Sequence, residues 1–389
     1  MENEFDYDDM RPYHDEEVKT TLEKLTNEPE FIYVLKMLYP DTDIEQLILK
    51  LRSLRSIKEF QLEIIGPLIL RIVQNAKDVY SLNGMEQLNL DEKYLFISNH
   101  RDIIMDAALL NTLFAGKGFD TTENAIGDNL CTRPWIRDVL KLNKSFLIKR
   151  NGTKRELFNA FIKQSAYIRE TITQKRNSVW LAQREGRAKD SDDRTQESLL
   201  KMLTISAKND LKNSFIELNI SPICVSYEYD SCDYLKAMEF QQKRDNPEFK
   251  KSENDDVKSM QIGITGYKGR MIYEVCQPIN KEIDQYIKSD DDRNTILKKI
   301  AELIDQKIHL SYHLFPCNYI ALDNFNNDSK YLGTNYSQED KIQFEKYVDA
   351  QIEKIELENK DIPFLKDKFW LMYANPVINQ LNAQKGGLF

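Results

Sequence analysis

The chain of 389 residues lacks any apolar run approaching the roughly 18 residues needed to span a bilayer. Its early hydrophobic stretch, Phe31-Ile32-Tyr33-Val34-Leu35, is cut at once by Lys36, so no spanning helix is expected. A secretory leader is not expected either, because the opening residues MENEFDYDDM are acidic where a leader is basic. Cysteine is scarce. The five thiols, Cys131, Cys224, Cys232, Cys276 and Cys317, are an odd number without CxxC spacing. That argues against a disulfide set or a zinc framework and predicts reduced thiols in a cytoplasmic setting. A basic excess is also missing: the net charge of −9 argues against a general nucleic-acid binder. Internal repeats and low-complexity tracts do not stand out.

What is present suits a soluble globular protein, 41% apolar and 30% charged, long enough for one large domain and a smaller one. Residues 1–14 read as an acidic, mobile arm. Apolar residues then recur at spacings of three or four (Val18, Leu22, Leu25; Phe31, Val34, Leu35, Leu38), predicting a helical domain over 15–85. Its last helix is expected over 57–80, bent near Gly66-Pro67. From residue 86 to 389 strands and helices alternate, the pattern of an α/β domain closed by C-terminal helices. Strands are expected near 93–98, 121–127, 145–149, 178–183, 219–228, 260–266 and 270–276, with a polar, mobile loop over 241–258. His309 and His313 lie one turn apart, but without a neighbouring Glu they read as helix-terminal histidines; no metal site is expected.

The most informative stretch is Ser98 to Asp106, SNHRDIIMD, between an apolar strand and an amphipathic helix. A histidine and a carboxylate at such a junction can form a general base and the group that orients it. The His-Arg-Asp triplet also occurs in protein kinases, but Ala107 stands where a kinase needs Asn, and no Gly-rich loop or Asp-Phe-Gly is present. Taken alone, the stretch is equally explained by a capping Asp102 and a loop histidine.

Three further blocks follow. Ser145-Phe146-Leu147-Ile148-Lys149-Arg150 delivers an arginine at a strand end, where its guanidinium fork can match phosphate oxygens. In Val179 to Arg187, VWLAQREGR, a Glu-Gly pair lets the backbone turn sharply and approach a ligand. Ile220 to Glu228 carries Pro222 near a strand start, where a missing N–H does least harm. Between Lys144 and Lys189 twelve Lys and Arg face three Glu, a local excess of nine positive charges. Part of that excess is a solvated helix face; the rest suits a phosphorylated or acidic ligand.

In this order the four blocks resemble the motifs of the glycerolipid acyltransferases, over about residues 92–230 and weakly over 270–279. The family separates its His and Asp by four residues; here His100 and Asp106 have five between them, and Asp102 lies two positions after His100. Alignment on the following Asp-x-x-Leu-Leu favours Asp106 as the partner and makes Asp102 a helix cap. The resemblance implies a central mixed sheet flanked by helices. It implies transfer of a fatty acyl group from acyl-CoA or acyl carrier protein to a hydroxyl of lysophosphatidic acid or glycerol-3-phosphate, with no other cofactor. His100 would be the base. Arg150 and Arg187, supported by Lys149, would hold the acceptor phosphate, and Glu185 with Gly186 would shape that site. The third block has Arg184 in place of the family's Pro and lacks one residue before Arg187, so Lys189 or Arg184 are alternatives for its role. Peripheral attachment at the inner face of a membrane is expected. An aminolipid acceptor, or a non-catalytic lipid- or carrier-binding protein on the same fold, are the other readings.

Overall fold

A computed structural model describes residues 5–174, 177–207 and 210–386. Helices α1 (Asp15–Leu25), α2 (Pro29–Leu38) and α3 (Ile44–Ser53) open the chain. Helix α4 (Ile57–Phe60) runs through a π turn at Gln61–Ile65 into α5 (Gly66–Asn75), and β1 (Val79–Asn83) follows. The central region alternates: β2 (Leu95–Ser98), α6 (Met105–Gly116), β3 (Glu123–Gly127), α7 (Pro134–Leu142), β4 (Ser145–Ile148), α8 (Lys154–Thr173) and β5 (Val179–Ala182). Helices α9 (Glu197–Thr204) and α10 (Leu211–Ile216) lead to β6 (Ile220–Tyr227). A helical pair, α11 (Asp233–Asp245) and α12 (Glu253–Thr265), precedes β7 (Arg270–Val275). The chain closes with α13 (Asn280–Tyr286), α14 (Arg293–Leu310), α15 (Pro316–Asn326), α16 (Gln338–Glu353) and α17 (Ile362–Lys385).

The strands of the described residues form one mixed sheet in the order β1-β7-β6-β2-β5-β3-β4. The five from β6 to β4 are parallel; β7 runs antiparallel to β6, and β1 is parallel to β7. In register, Leu95 of β2 lies between Val179 of β5 and Ile220 of β6. Every residue of β2 and β6 is buried, as expected of parallel strands covered on both faces. Alternation along β2 divides the core: Leu95 and Ile97 pack with Leu297, Ile300 and Ile304 of α14, whereas Phe96 packs with Leu109 and Phe114 of α6. The C-terminal ends of β2, β3, β4 and β5 therefore open on one edge, where an α/β sheet leaves its crevice.

Three expectations from sequence are corrected. Residues 5–14 are not a free arm. Met10 is buried, its carbonyl accepts from Leu147 N at 2.9 Å beside β4, and Tyr13 donates to Asp138 at 2.7 Å. The 15–85 unit is not helical throughout: Lys77, at φ 58°, ends the helical run, and β1 pairs with β7. Asp78 secures this turn by accepting from Lys268 N and Gly269 N. The unit also shares its core with the rest, through Ile69 and Val73 against Phe96 and through Leu142 among the residues of α1 to α4. Residues 260–266 are not a strand but the end of α12, and 241–258 is helical over much of its length. Met260, Ile262 and Ile264 mimic a period of two, whereas the buried positions are Ser259 and Gly263, one helical turn apart. Among the described residues no helix is long and apolar enough to cross a membrane.

A buried polar knot fixes the crevice edge. Arg101, just after β2, donates to Asp193 at 2.6 Å, and Tyr312 donates to the same carboxylate at 2.6 Å. His309 Nε2 lies 2.7 Å from the Asp193 carbonyl, so this histidine is engaged in packing the end of α14. Removing one partner of a buried ion pair strands the other charge. Arg101→Met is therefore expected to lower unfolding stability by about 3–5 kcal/mol, read from the urea midpoint.

Candidate active site

The β2–α6 turn is shaped by one carboxylate. Asp106, the second residue of α6 and fully buried, accepts at Oδ2 from Arg101 N at 2.6 Å and Asp102 N at 3.0 Å. His100 Nδ1 lies 2.7 Å from the same oxygen. An ionised carboxylate only accepts, so Nδ1 carries the proton and Nε2 is left as the acceptor. The helix N-terminus favours the negative charge of Asp106. The extra residue relative to the family spacing is absorbed in the irregular turn before Met105, and the His–Asp pair forms despite it.

Asp102 takes a different part. Its Oδ1 accepts from Ile104 N at 2.9 Å and Met105 N at 2.8 Å, serving the free amides of the first turn of α6. It does this from two residues before the N-cap position, which Ile104 occupies without a side-chain bond. Burial, and then the neighbouring charge of Asp106, push the Asp102 carboxyl above its ordinary range; Lys268 and Arg187 offset this in part.

His100 opens on a cavity of about 750 Å³ at the sheet's C-terminal edge. Arg150, Arg184, Glu185, Gly186, Arg187 and Lys189 line it as well. Arg150 is placed by its own N–H, which donates to Asp128 at 3.0 Å after β3, and its Nη1 meets Glu185 at 2.9 Å. Gly186 holds φ +68°, a left-handed turn that L side chains disfavour, and so delivers Glu185 and Arg187 to the same wall. Burial opposes the charge of Arg187, but Cys232, Asp102 and Asp230 outweigh it and keep the guanidinium protonated. Its Nη1 is buried without a partner among the described residues. Lys149, expected beside Arg150, is not among the lining residues.

Several groups at the site were not anticipated from sequence. Asn99 clamps the turn to β6 by a two-way bond with Val225, accepting at 2.7 Å and donating at 2.8 Å. Trp180 sets its ring edge-on to His100 at 5.9 Å and donates to Ser98 Oγ at 3.1 Å. Helices α11 and α12 roof the cavity, and Gly263 is seated on Asp102: a Cβ there would come within 2.2 Å of Oδ2. Asn99 and Trp180 lie inside the conspicuous blocks, so proximity was their signal; Gly263 had only its spacing from Ser259. No group of three or more His, Cys, Asp or Glu among the described residues is arranged to hold a metal ion.

Residues 80–225 match the family model described as Acyltransferase. They run from β1 into β6 and include the first three blocks and most of the fourth. No curated protein sequence matches the chain. The solved structure of the 1-acyl-sn-glycerophosphate (LPA) acyltransferase PlsC from Thermotoga maritima aligns at 11% identity with a TM-score of 0.36, over 74% of this chain and 91% of that one. The blocks, in order along the ends of parallel strands, fall almost wholly within residues 80–225, the segment that is similar to the acyltransferase family.

Proposed function

We propose that the protein moves a fatty acyl group from a thioester, acyl-CoA or acyl carrier protein, to a hydroxyl of lysophosphatidic acid or glycerol-3-phosphate. The observation that carries this reading is the His100–Asp106 pair opening on a cavity that Arg150 and Arg187 also line. His100 Nε2 takes the hydroxyl proton while Asp106 steadies the imidazolium. The alkoxide forms a bond to the thioester carbonyl, and the tetrahedral adduct collapses as the C–S bond breaks. The thiolate leaves with the proton returned by His100. No covalent acyl-enzyme is needed, because the thioester is already activated. Arg150, oriented by Glu185, and the guanidinium of Arg187 receive the acceptor phosphate, and holding it in place lowers the barrier. The formed pair and the converging cations favour an enzyme over a binding protein on the same fold. Lipid acceptors would be met at a membrane surface, for which Tyr33, Met37, Leu49 and Leu62 offer exposed apolar area on the N-terminal helices.

The deciding experiment offers purified protein acyl-CoA or acyl carrier protein against glycerol-3-phosphate, lysophosphatidic acid and a hydroxylated aminolipid. Transfer to a phosphorylated acceptor is expected, with His100→Ala lowering kcat roughly 10²–10⁴-fold. Folded protein that turns over no pair would refute the reading. The two aspartates separate cleanly. Asp106→Asn forces the wrong tautomer on His100 and is expected to cost roughly 10³–10⁴-fold in kcat. Asp102→Asn keeps the oxygen that caps α6 and removes a like charge, so activity within a few-fold and undiminished stability are expected. Arg150→Ala should raise KM for the phosphorylated acceptor about 10- to 100-fold, the size of one charge-assisted hydrogen bond.

A further inference from the structure

The cavity's roof carries a charge arrangement that phosphate binding by Arg150 and Arg187 does not use. Glu239 of α11 is buried, with 5% of its side chain exposed, and three lysines converge on it. Lys189, from the segment after β5, pairs with it directly; Lys243 of α11 lies at 2.9 Å and Lys251, from the α11–α12 connection, at 3.1 Å. One carboxylate neutralises one ammonium. Asp256 reaches Lys251 only at 3.9 Å, and Asp190 and Asp255 line the cavity too, yet seven Lys and Arg line it against five Asp and Glu, so positive charge remains in excess. Burial pushes Lys189 down to about 8 even with Glu239 beside it, and the neighbouring lysines act in the same direction. Arg150 and Arg187 line the same cavity, so two separate cationic sets face one space.

We propose that Lys189 and Lys251 of the cavity wall, with Lys243 beside them on Glu239, form the subsite for the nucleotide phosphates of an acyl-coenzyme A donor. This rests on the acyl-transfer reading. A glycerol phosphate acceptor brings one phosphate, which the guanidinium set accommodates; the lysine set answers to the other substrate. Coenzyme A carries a pyrophosphate and a ribose phosphate close together, a cluster that flexible ammonium point charges can meet without one fixed geometry. Phe240 and Phe249 line the same roof, aromatic groups of the kind on which a purine stacks. A carrier protein presents a single phosphodiester and would be recognised on the outer surface, whereas Lys189 and Lys251 line the cavity itself.

The test is calorimetric titration of the full chain with coenzyme A and with 4′-phosphopantetheine, which lacks the nucleotide. Wild type is compared with Lys243→Ala/Lys251→Ala, whose side chains are 52% and 32% exposed and not needed to fill a core, and with Lys298→Ala on α14 as a control. The double variant is expected to bind coenzyme A at least about tenfold more weakly while 4′-phosphopantetheine affinity and the control are unchanged. Unchanged coenzyme A affinity, equal weakening of both ligands, or no binding of coenzyme A to wild type would each overturn the subsite. Acyl transfer from acyl carrier protein, measured alongside, separates the two readings. Turnover with that donor and no coenzyme A binding rejects the subsite and leaves acyl transfer standing. Lysine-dependent coenzyme A binding without turnover on any acceptor supports the subsite and rejects the reaction.

Discussion

The site depends on one buried oxygen, Oδ2 of Asp106. It accepts from two successive backbone amides and sits against His100 Nδ1, and so bends the chain after β2, starts α6 and orients the imidazole at once. A charge this deeply buried is tolerable only where donors and a helix N-terminus compensate it, and both are present. Its other oxygen, Oδ1, is buried without a partner among the described residues, so the compensation is concentrated on the oxygen that faces the histidine. The surroundings lock that geometry. Asn99 ties the turn to β6, Arg101 ties it to Asp193 and thence to Tyr312, and Gly263 brings α12 onto Asp102.

Around this fixed point the cavity is electrostatically divided. Guanidinium groups come from the ends of β4 and β5, where short strands hold them on the sheet. The lysines come chiefly from the α11–α12 pair inserted between β6 and β7. The first set belongs to the segment matched by the family model; the second draws Lys243 and Lys251 from outside it and only Lys189 from within. Lys236, also in the cavity wall, is spent on Asp230 and adds no free charge.

The strands that build the crevice were legible because they are short, apolar and buried on both faces, so β2, β4, β5 and β6 fell within a few residues of their expected places. The apolar pattern of α6 favoured Asp106 over Asp102 without deciding between them. Elements whose buried positions are small or polar were not legible. Alternating apolar residues in α12 imitated a strand while Ser259 and Gly263 made the contact, and β1 showed itself only through pairing with β7. The acidic residues near the N-terminus read as solvated, yet Tyr7, Met10 and Tyr13 anchor that segment to α8, β4 and α7.

The sequence by itself determined the chemistry available: a histidine followed by two aspartates, arginines at strand ends, a Glu-Gly turn and an α/β alternation. Those follow from local pattern, because side-chain type and strand or helix period are written along the chain. Tertiary structure alone decided which aspartate meets His100, that Lys149 leaves the cavity while Arg187 enters it, and that a helical pair roofs the site with three lysines on one glutamate. Each is set by directions and distances between segments far apart in the chain, fixed only when the sheet register and the packing of α12 on the β2–α6 turn are in place.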